Sequence, residues 1–387
     1  MSDIVITSGW VVAVVIGLTV VAAVVTAKFW DRGRFRTVHR AIGLLVVQLL
    51  VLLSIGTVVN RGANFYVTLG ELFGQGKEDG YAASIPPQAP TLSADGTGED
   101  GVARWIADHP TKPGKGTVIP AMLTGARTGY SLPAQIYLPA GYASAPATQK
   151  FPVVLFLAGY PGTHYSWSKS MGVPAALDQA ISAKHLAPVI GVLAEHDPIR
   201  GRDSECVDSA HGVRADTYLT SDLPDVVSRH FRAASGRQNW SVVGYSTGGF
   251  CAANMALRHP DKFSAAGVLS GYFRPIIDRS TGDLYKDDLN LRRANDPRLL
   301  IGQRRPAPTH FFLFAGTGDR EALKELKAFA PLVHAPDTLQ VVDDRPGGHN
   351  FAAWKGVLPD LFAWLNRTLT AGAGRDDKTP ARLSPPQ

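Results

Sequence analysis

Cysteine is nearly absent: Cys206 and Cys251 are the only two in 387 residues, and no Cys-x-x-Cys pair occurs. That scarcity removes zinc ribbons, zinc fingers and disulfide-dense miniature folds. Neither a metal site nor a cofactor is expected. Charge is missing from two stretches. Residues 4–27 carry none, and residues 41–59 carry none either, with Gln48 their one strongly polar side chain. At about 1.5 Å rise per residue, about 20 helical residues cross a hydrocarbon core of roughly 30 Å. Both runs therefore predict transmembrane helices. A cleaved signal peptide fits the first run poorly, because no basic segment precedes it and no small-residue cleavage pattern follows.

The formal charge of +6 looks basic, but the folded part has little share in it. Lys28, Arg32, Arg34, Arg36 and Arg40 sit between the two apolar runs, opposed only by Asp31. Beyond them, residues 41–387 hold 34 basic and 31 acidic side chains, close to neutral. A nucleic-acid binder would concentrate charge on a folded surface, so that class is excluded as a partner. Short basic loops stay cytoplasmic. The loop 28–40 then places everything after residue 60 outside the cytoplasm, on a cell membrane spanned twice.

The chain divides accordingly. Residues 1–60 form the two helices and their loop. Residues 61–101 are a membrane-proximal segment, with a candidate interfacial helix up to about residue 74, followed by a Gly/Ser/Pro/Asp-rich linker. Residues 102–370 form the catalytic domain, and 371–387 a polar, disordered tail. In the domain, short apolar runs at 151–157, 188–194, 240–244, 265–269, 310–315 and 339–342 alternate with helical stretches at 173–183, 218–231, 247–258, 320–330 and 351–369. That alternation predicts a mostly parallel sheet with helices on both faces, with an antiparallel hairpin over 117–138 at its edge.

Gly244-Tyr-Ser-Thr-Gly-Gly249 lies between an apolar strand and a helix. A G-x-S-x-G turn in that context is a nucleophile elbow, where a sharp turn lifts the serine above the strand ends beside a helix N-terminus. Ser246 is the predicted nucleophile. It needs a base, and the base needs a partner that fixes its tautomer. In such folds the chain order is Ser, acid, His. His349, between the last strand and the last helix, is the predicted base, with His334 as the alternative. Asp319, just past the strand 310–315, is the predicted acid. Glu321 is the alternative, although an acid in a first helical turn is also explained by the helix dipole. The backbone N–H groups of Thr247 and Tyr160 are predicted to form the oxyanion hole, since Pro161 has no N–H. Cys206 and Cys251, with no competitor outside the cytoplasm, are predicted to pair. The segment 272–308 is long enough to cap the site.

These motifs resemble an esterase family that includes esterase D, feruloyl esterases and secreted mycolyltransferases. The resemblance spans roughly 117–369. It rests on the elbow, on His259-Pro-Asp-Lys-Phe263, Leu269-Ser-Gly271, Gly316-Thr-Gly-Asp319 and Gly347-Gly-His349 with Trp354 after it, and on Thr217–Pro224. It implies an α/β-hydrolase fold and a triad of Ser246, Asp319 and His349. Ala158-Gly159 and Pro161, where mycolyltransferases carry an Asp-Gly pair and an Arg, and Asp319 in place of their Glu, favour a general esterase. The expected activity is hydrolysis of an acyl ester through an acyl-enzyme. Acyl transfer on envelope lipids or glycans is the alternative. A non-catalytic envelope protein on the same fold is disfavoured, because all three triad types are present.

Overall fold

In the computed structural model the described residues are 9–31, 36–63 and 85–373. They fall into two compact units, one within 1–80 and one within 81–387.

In the first unit, α1 (Gly9–Lys28) and α2 (Arg36–Ala63) form a helical pair. Both are long and apolar enough to cross a membrane, and their large apolar side chains point outward rather than into a core. Such a surface is unsuited to water and suited to lipid. Thr19 and Ser54 meet across the pair, their hydroxyls 2.9 Å apart and each within hydrogen-bond distance of a carbonyl one turn back. Between the helices, Arg40 pairs with Asp31 and lies over the Trp30 ring at 5.0 Å. The candidate interfacial helix beyond residue 63 lies outside the described residues, as does the linker up to residue 84.

The second unit is built on one nine-stranded sheet. Its strands are β1 (Thr91–Ser93), β2 (Thr117–Thr124), β3 (Ser131–Leu138), β4 (Val153–Leu157), β5 (Ile190–Ala194), β6 (Trp240–Tyr245), β7 (Ala265–Leu269), β8 (His310–Phe314) and β9 (Thr338–Val342), in the order β1-β2-β3-β5-β4-β6-β7-β8-β9. Only β2–β3 and β3–β5 pair antiparallel. The hairpin is as expected, but β1 flanks it in parallel, so it is not the outermost element. The stretch read as linker thus contributes, from residue 91 on, a strand and the start of α3 (Glu99–Asp108).

The central strands alternate strictly between two cores, as a strand buried on both faces must. Val153, Leu155 and Leu157 join one apolar cluster, Val154 and Phe156 the other. The first core takes in α5 (Leu223–His230), α6 (Thr247–Arg258) and α7 (Arg320–Phe329); the second takes in α4 (Val173–Ser182) and α8 (Phe351–Ala373). The helix read over 218–231 is present; it begins at Ala215, ends at His230 and contains a π-helical turn. A π-turn at Tyr218–Asp222 precedes α5, and the Asp222 carboxylate accepts from the amides of Arg127 and Thr128 at 2.9 Å each. α8 continues to Ala373, and the tail beyond it lies outside the described residues.

Candidate active site

β6 delivers Ser246 to the carboxyl edge of the sheet. Its backbone sits at φ 54°, ψ −123°, a conformation an L-residue adopts only under constraint. The neighbours supply that constraint by lacking side chains. A Cβ on Gly244 would overlap the Gly248 carbonyl, and one on Gly248 would overlap that of Leu157. Gly159, on the loop after β4, passes so close that a Cβ there would lie 2.6 Å from the Ser246 Cβ.

Asp319 and His349 meet because the loops after β8 and β9 are stitched together. Thr317 N–H donates to Arg345 O at 2.9 Å, and Gly318 N–H donates to Gly347 O at 2.8 Å. Gly316 allows the approach, since a Cβ there would strike the Gly347 carbonyl. His349 Nδ1 lies 2.8 Å from Asp319 Oδ2, and His349 Nε2 lies 2.9 Å from Ser246 Oγ. Burial raises the Asp319 pKa, but the hydrogen bond and charge of His349 outweigh it and leave the carboxyl lowered, hence ionised. An anion at Nδ1 holds the proton on that nitrogen and leaves Nε2 free to accept the serine proton. The imidazole packs edge-on against Trp354, 5.0 Å between ring centres, and Trp354 stacks on Tyr245 of the elbow.

The alternatives lie elsewhere. Glu321 is exposed in the first turn of α7, and His334 is exposed in the loop before β9. Thr247 opens α6, and Tyr160 follows Gly159 on the loop that presses against Ser246, so both candidate oxyanion amides adjoin the nucleophile. The Tyr160–Pro161 peptide is cis.

Cys206 and Cys251 form a disulfide between fully buried positions, joining the loop after β5 to α6. That loop has partners which local patterning does not reveal. Asp203 Oδ2 accepts from Thr247 Oγ1 at 2.8 Å, and the Tyr160 hydroxyl donates to Gly201 O at 3.0 Å. Glu205 accepts from Tyr272 OH at 2.8 Å, Ile276 N–H at 3.1 Å and Tyr285 OH at 3.2 Å. Burial pushes its carboxyl up to about 8. The segment 272–308, with short helices at Leu289–Arg293 and Pro297–Leu300, is thereby pinned to the loop. Beneath it, Glu195, His196 and Asp197 each bring one potential ligand atom within 4.8 Å of the others. Burial disfavours the His196 cation, but Asp197, Glu195 and Asp203 outweigh it and raise its pKa, while burial lifts Asp197 to about 6. A second close group contains the two cysteine sulfurs, which are already bonded to each other.

A mostly parallel sheet, a strained serine at the head of a helix and a Ser-His-Asp chain of hydrogen bonds define an α/β-hydrolase. The family described as "Putative esterase" matches residues 125–365, well over half of the chain, and the protein belongs to that esterase family. An uncharacterized protein of Corynebacterium glutamicum is 27% identical over 244 residues, covering 60% of this chain and 56% of that protein. The diacylglycerol acyltransferase/mycolyltransferase Ag85B of Mycolicibacterium smegmatis is 30% identical over 127 residues, 28% of this chain and 38% of that protein. The chain thus spans about half or less of the length of these curated relatives. Among solved structures, a ferulic acid esterase superposes with a TM-score of 0.55 at 19% identity, covering 66% of this chain and 99% of that one. An S-formylglutathione hydrolase from Agrobacterium tumefaciens also superposes at 0.55 and 19% identity, covering 67% and 98%. At such identities the superpositions speak for the fold. The family is thus one of esterases, and one relative of the chain is named an acyltransferase.

Proposed function

We propose that the protein is a membrane-anchored ester hydrolase working outside the cytoplasm, with Ser246, His349 and Asp319 as its triad. The observation that carries this reading is the unbroken chain Ser246 Oγ–His349 Nε2 (2.9 Å) and His349 Nδ1–Asp319 (2.8 Å) at a strained turn. His349 takes the proton as Ser246 Oγ attacks the ester carbonyl, and Asp319 stabilises the imidazolium that forms. The N–H groups of Thr247 and Tyr160 receive the negative charge on the carbonyl oxygen. Collapse expels the alcohol, protonated by His349. Water, activated by the same histidine, then attacks the acyl-enzyme and releases the acid and free Ser246.

The anchor is read from the two apolar helices, and the side from the basic loop between them. The disulfide supports the same side, because such bonds persist in oxidising compartments. Acyl transfer is the second reading, favoured by the local similarity to Ag85B. In that case an alcohol, not water, attacks the acyl-enzyme.

Purified full-length protein offered 4-nitrophenyl esters of increasing chain length, with and without added acceptor alcohols, tests the chemistry. Hydrolysis abolished by Ser246→Ala supports the esterase. A new ester formed at the expense of free acid moves the reading to transfer, and turnover unaffected by Ser246→Ala overturns both. A reporter that works only outside the cytoplasm, fused after Gln387, tests the side; a silent fusion on abundant protein refutes it.

A further inference from the structure

A cavity of about 340 Å³ opens between the loop after β5 and the segment 272–308, one hydrogen bond removed from residues that flank the nucleophile. Two hydrogen bonds place it there. Asp203, in its wall, bonds Thr247, the residue after Ser246, and Gly201, next to Arg202 in that wall, accepts from Tyr160 on the loop that presses against Ser246. Ile199, Val213 and Leu284 give the cavity an apolar lining. Its volume stands near the lower end of small-ligand pockets, roughly 300–1,000 Å³, which suits a short chain.

The charges in this wall are not equivalent. Asp203 is occupied by Thr247 Oγ1 and Glu205 N–H, and Asp283 by the amides of Tyr285 and Lys286. Nearby Asp278 is held by Ser280 and Thr281. His211 Nε2 is engaged with Asp283 O at 2.8 Å. Arg202 differs. It is exposed, it lies across Gly282 so closely that a Cβ there would be 3.3 Å from Nη1, and its guanidinium has no hydrogen bond or ion pair among the described residues. A planar fork of five donors is thus left uncommitted at the lip of an apolar cavity whose wall residue Asp203 is bonded to Thr247, the residue after the serine.

We propose that this cavity is a substrate subsite and that Arg202 selects esters bearing an anionic oxyacid group, carboxylate or phosphate, at the far end of a short apolar chain. The inference deepens the esterase reading and rests on it for the position of the scissile bond. No covalent step is added: Arg202 binds and orients, and the chemistry stays with Ser246.

Two 4-nitrophenyl esters of equal chain length separate the charge from the chain: the hexanoate, and the adipate half-ester with a carboxylate at the sixth carbon. Arg202→Gln should lower the ratio of kcat/KM for adipate over hexanoate about tenfold, through KM, as expected for one lost charge-assisted contact. Arg202→Lys should restore part of it, and added salt should compress the ratio in the wild type. A purely structural role would move both esters together; an unchanged ratio overturns the proposal. Calorimetric binding of hexyl phosphate and of adipate monoamide to Ser246→Ala protein reads the subsite without turnover. Binding of either that Arg202→Gln weakens supports the subsite, and the tighter ligand names the oxyacid. Binding of neither, or binding indifferent to Arg202, overturns the subsite even if hydrolysis is confirmed. Conversely, Arg202-dependent binding in a protein that hydrolyses no ester would keep the subsite and remove the esterase.

Discussion

Reduction of the Cys206–Cys251 bond tests how much of the site's rigidity comes from one crosslink. The bond joins positions 45 residues apart. The chain-entropy model values the closure of such a loop at about 4 kcal/mol at 25 °C. Protein reduced in denaturant and refolded with reductant keeps both sulfur atoms in the core, so the difference from oxidised protein isolates the constraint from any loss of packing. Unfolding of the catalytic unit in urea, followed by near-ultraviolet circular dichroism, should give a stability lower by about 4 kcal/mol, which on heating corresponds to a fall in Tm on the order of 10 °C. The Cys206→Ala/Cys251→Ala pair should be lower still, because both positions are fully buried and the missing sulfurs leave space. Activity should suffer as well, since the loop that loses its tether carries Asp203, the partner of Thr247. A reduced protein within about 1 kcal/mol of the oxidised one would refute the constraint argument.

Three further outcomes follow from the site. Ser246→Ala, His349→Ala and Asp319→Asn should each lower kcat by roughly 10³-fold or more and combine far from additively, while Glu321→Gln, exposed on α7, should change ester hydrolysis less than twofold. Gly248→Ala should cost most of the activity or the folded protein, because its Cβ meets the Leu157 carbonyl; a fully active variant would contradict the elbow geometry. Glu205 keeps its proton to about pH 8 in the folded protein but releases it near 4.5 when unfolded, so its contribution is complete below pH 4.5 and is lost as pH rises through about 8. The stability of Glu205→Gln relative to wild type should therefore climb across that window in pH-stepped denaturation, and a pH-independent difference would count against the buried acid.

The parts of the fold legible in the sequence were those whose signal is local. The central strands are short, continuous apolar runs because both faces are buried, and the elbow declares itself through the two glycines that its turn requires. The choice of Asp319 over Glu321 and of His349 over His334 rested on position after a strand, and the structure brings those two residues to Ser246. What escaped was non-local. β1 is three residues long in a Pro/Gly/Ser-rich stretch, too short for alternation to register, and exists because β2 offers it a free edge. The helix read at 218–231 is there, but the π-helical turn within it left no mark on the periodicity, and Asp222 in that turn reaches the amides of Arg127 and Thr128 nearly a hundred residues earlier. Asp203 and Glu205 carry no motif in the sequence, and only their distant partners distinguish them.

Those two acids also show where diversity within such a family can arise. The proposed triad stands on the loops after β6, β8 and β9, whose glycines leave little room for change. The loop after β5 has no comparable motif, yet it touches several parts of the site: Gly201 meets Tyr160, Asp203 meets Thr247, Glu205 holds Tyr272 and Tyr285, and Cys206 is bonded to the nucleophile helix. Fixed at its centre by the disulfide and the buried acids, it leaves Ile199 and Arg202 toward one end and His211 and Val213 toward the other to line the cavity. A scaffold rigid at residues 203–206 and exposed on either side can exchange its lining side chains without disturbing Ser246. On the proposed reading the chemistry belongs to the elbow and its two loops, and the choice of substrate to the loop after β5 and the segment it pins.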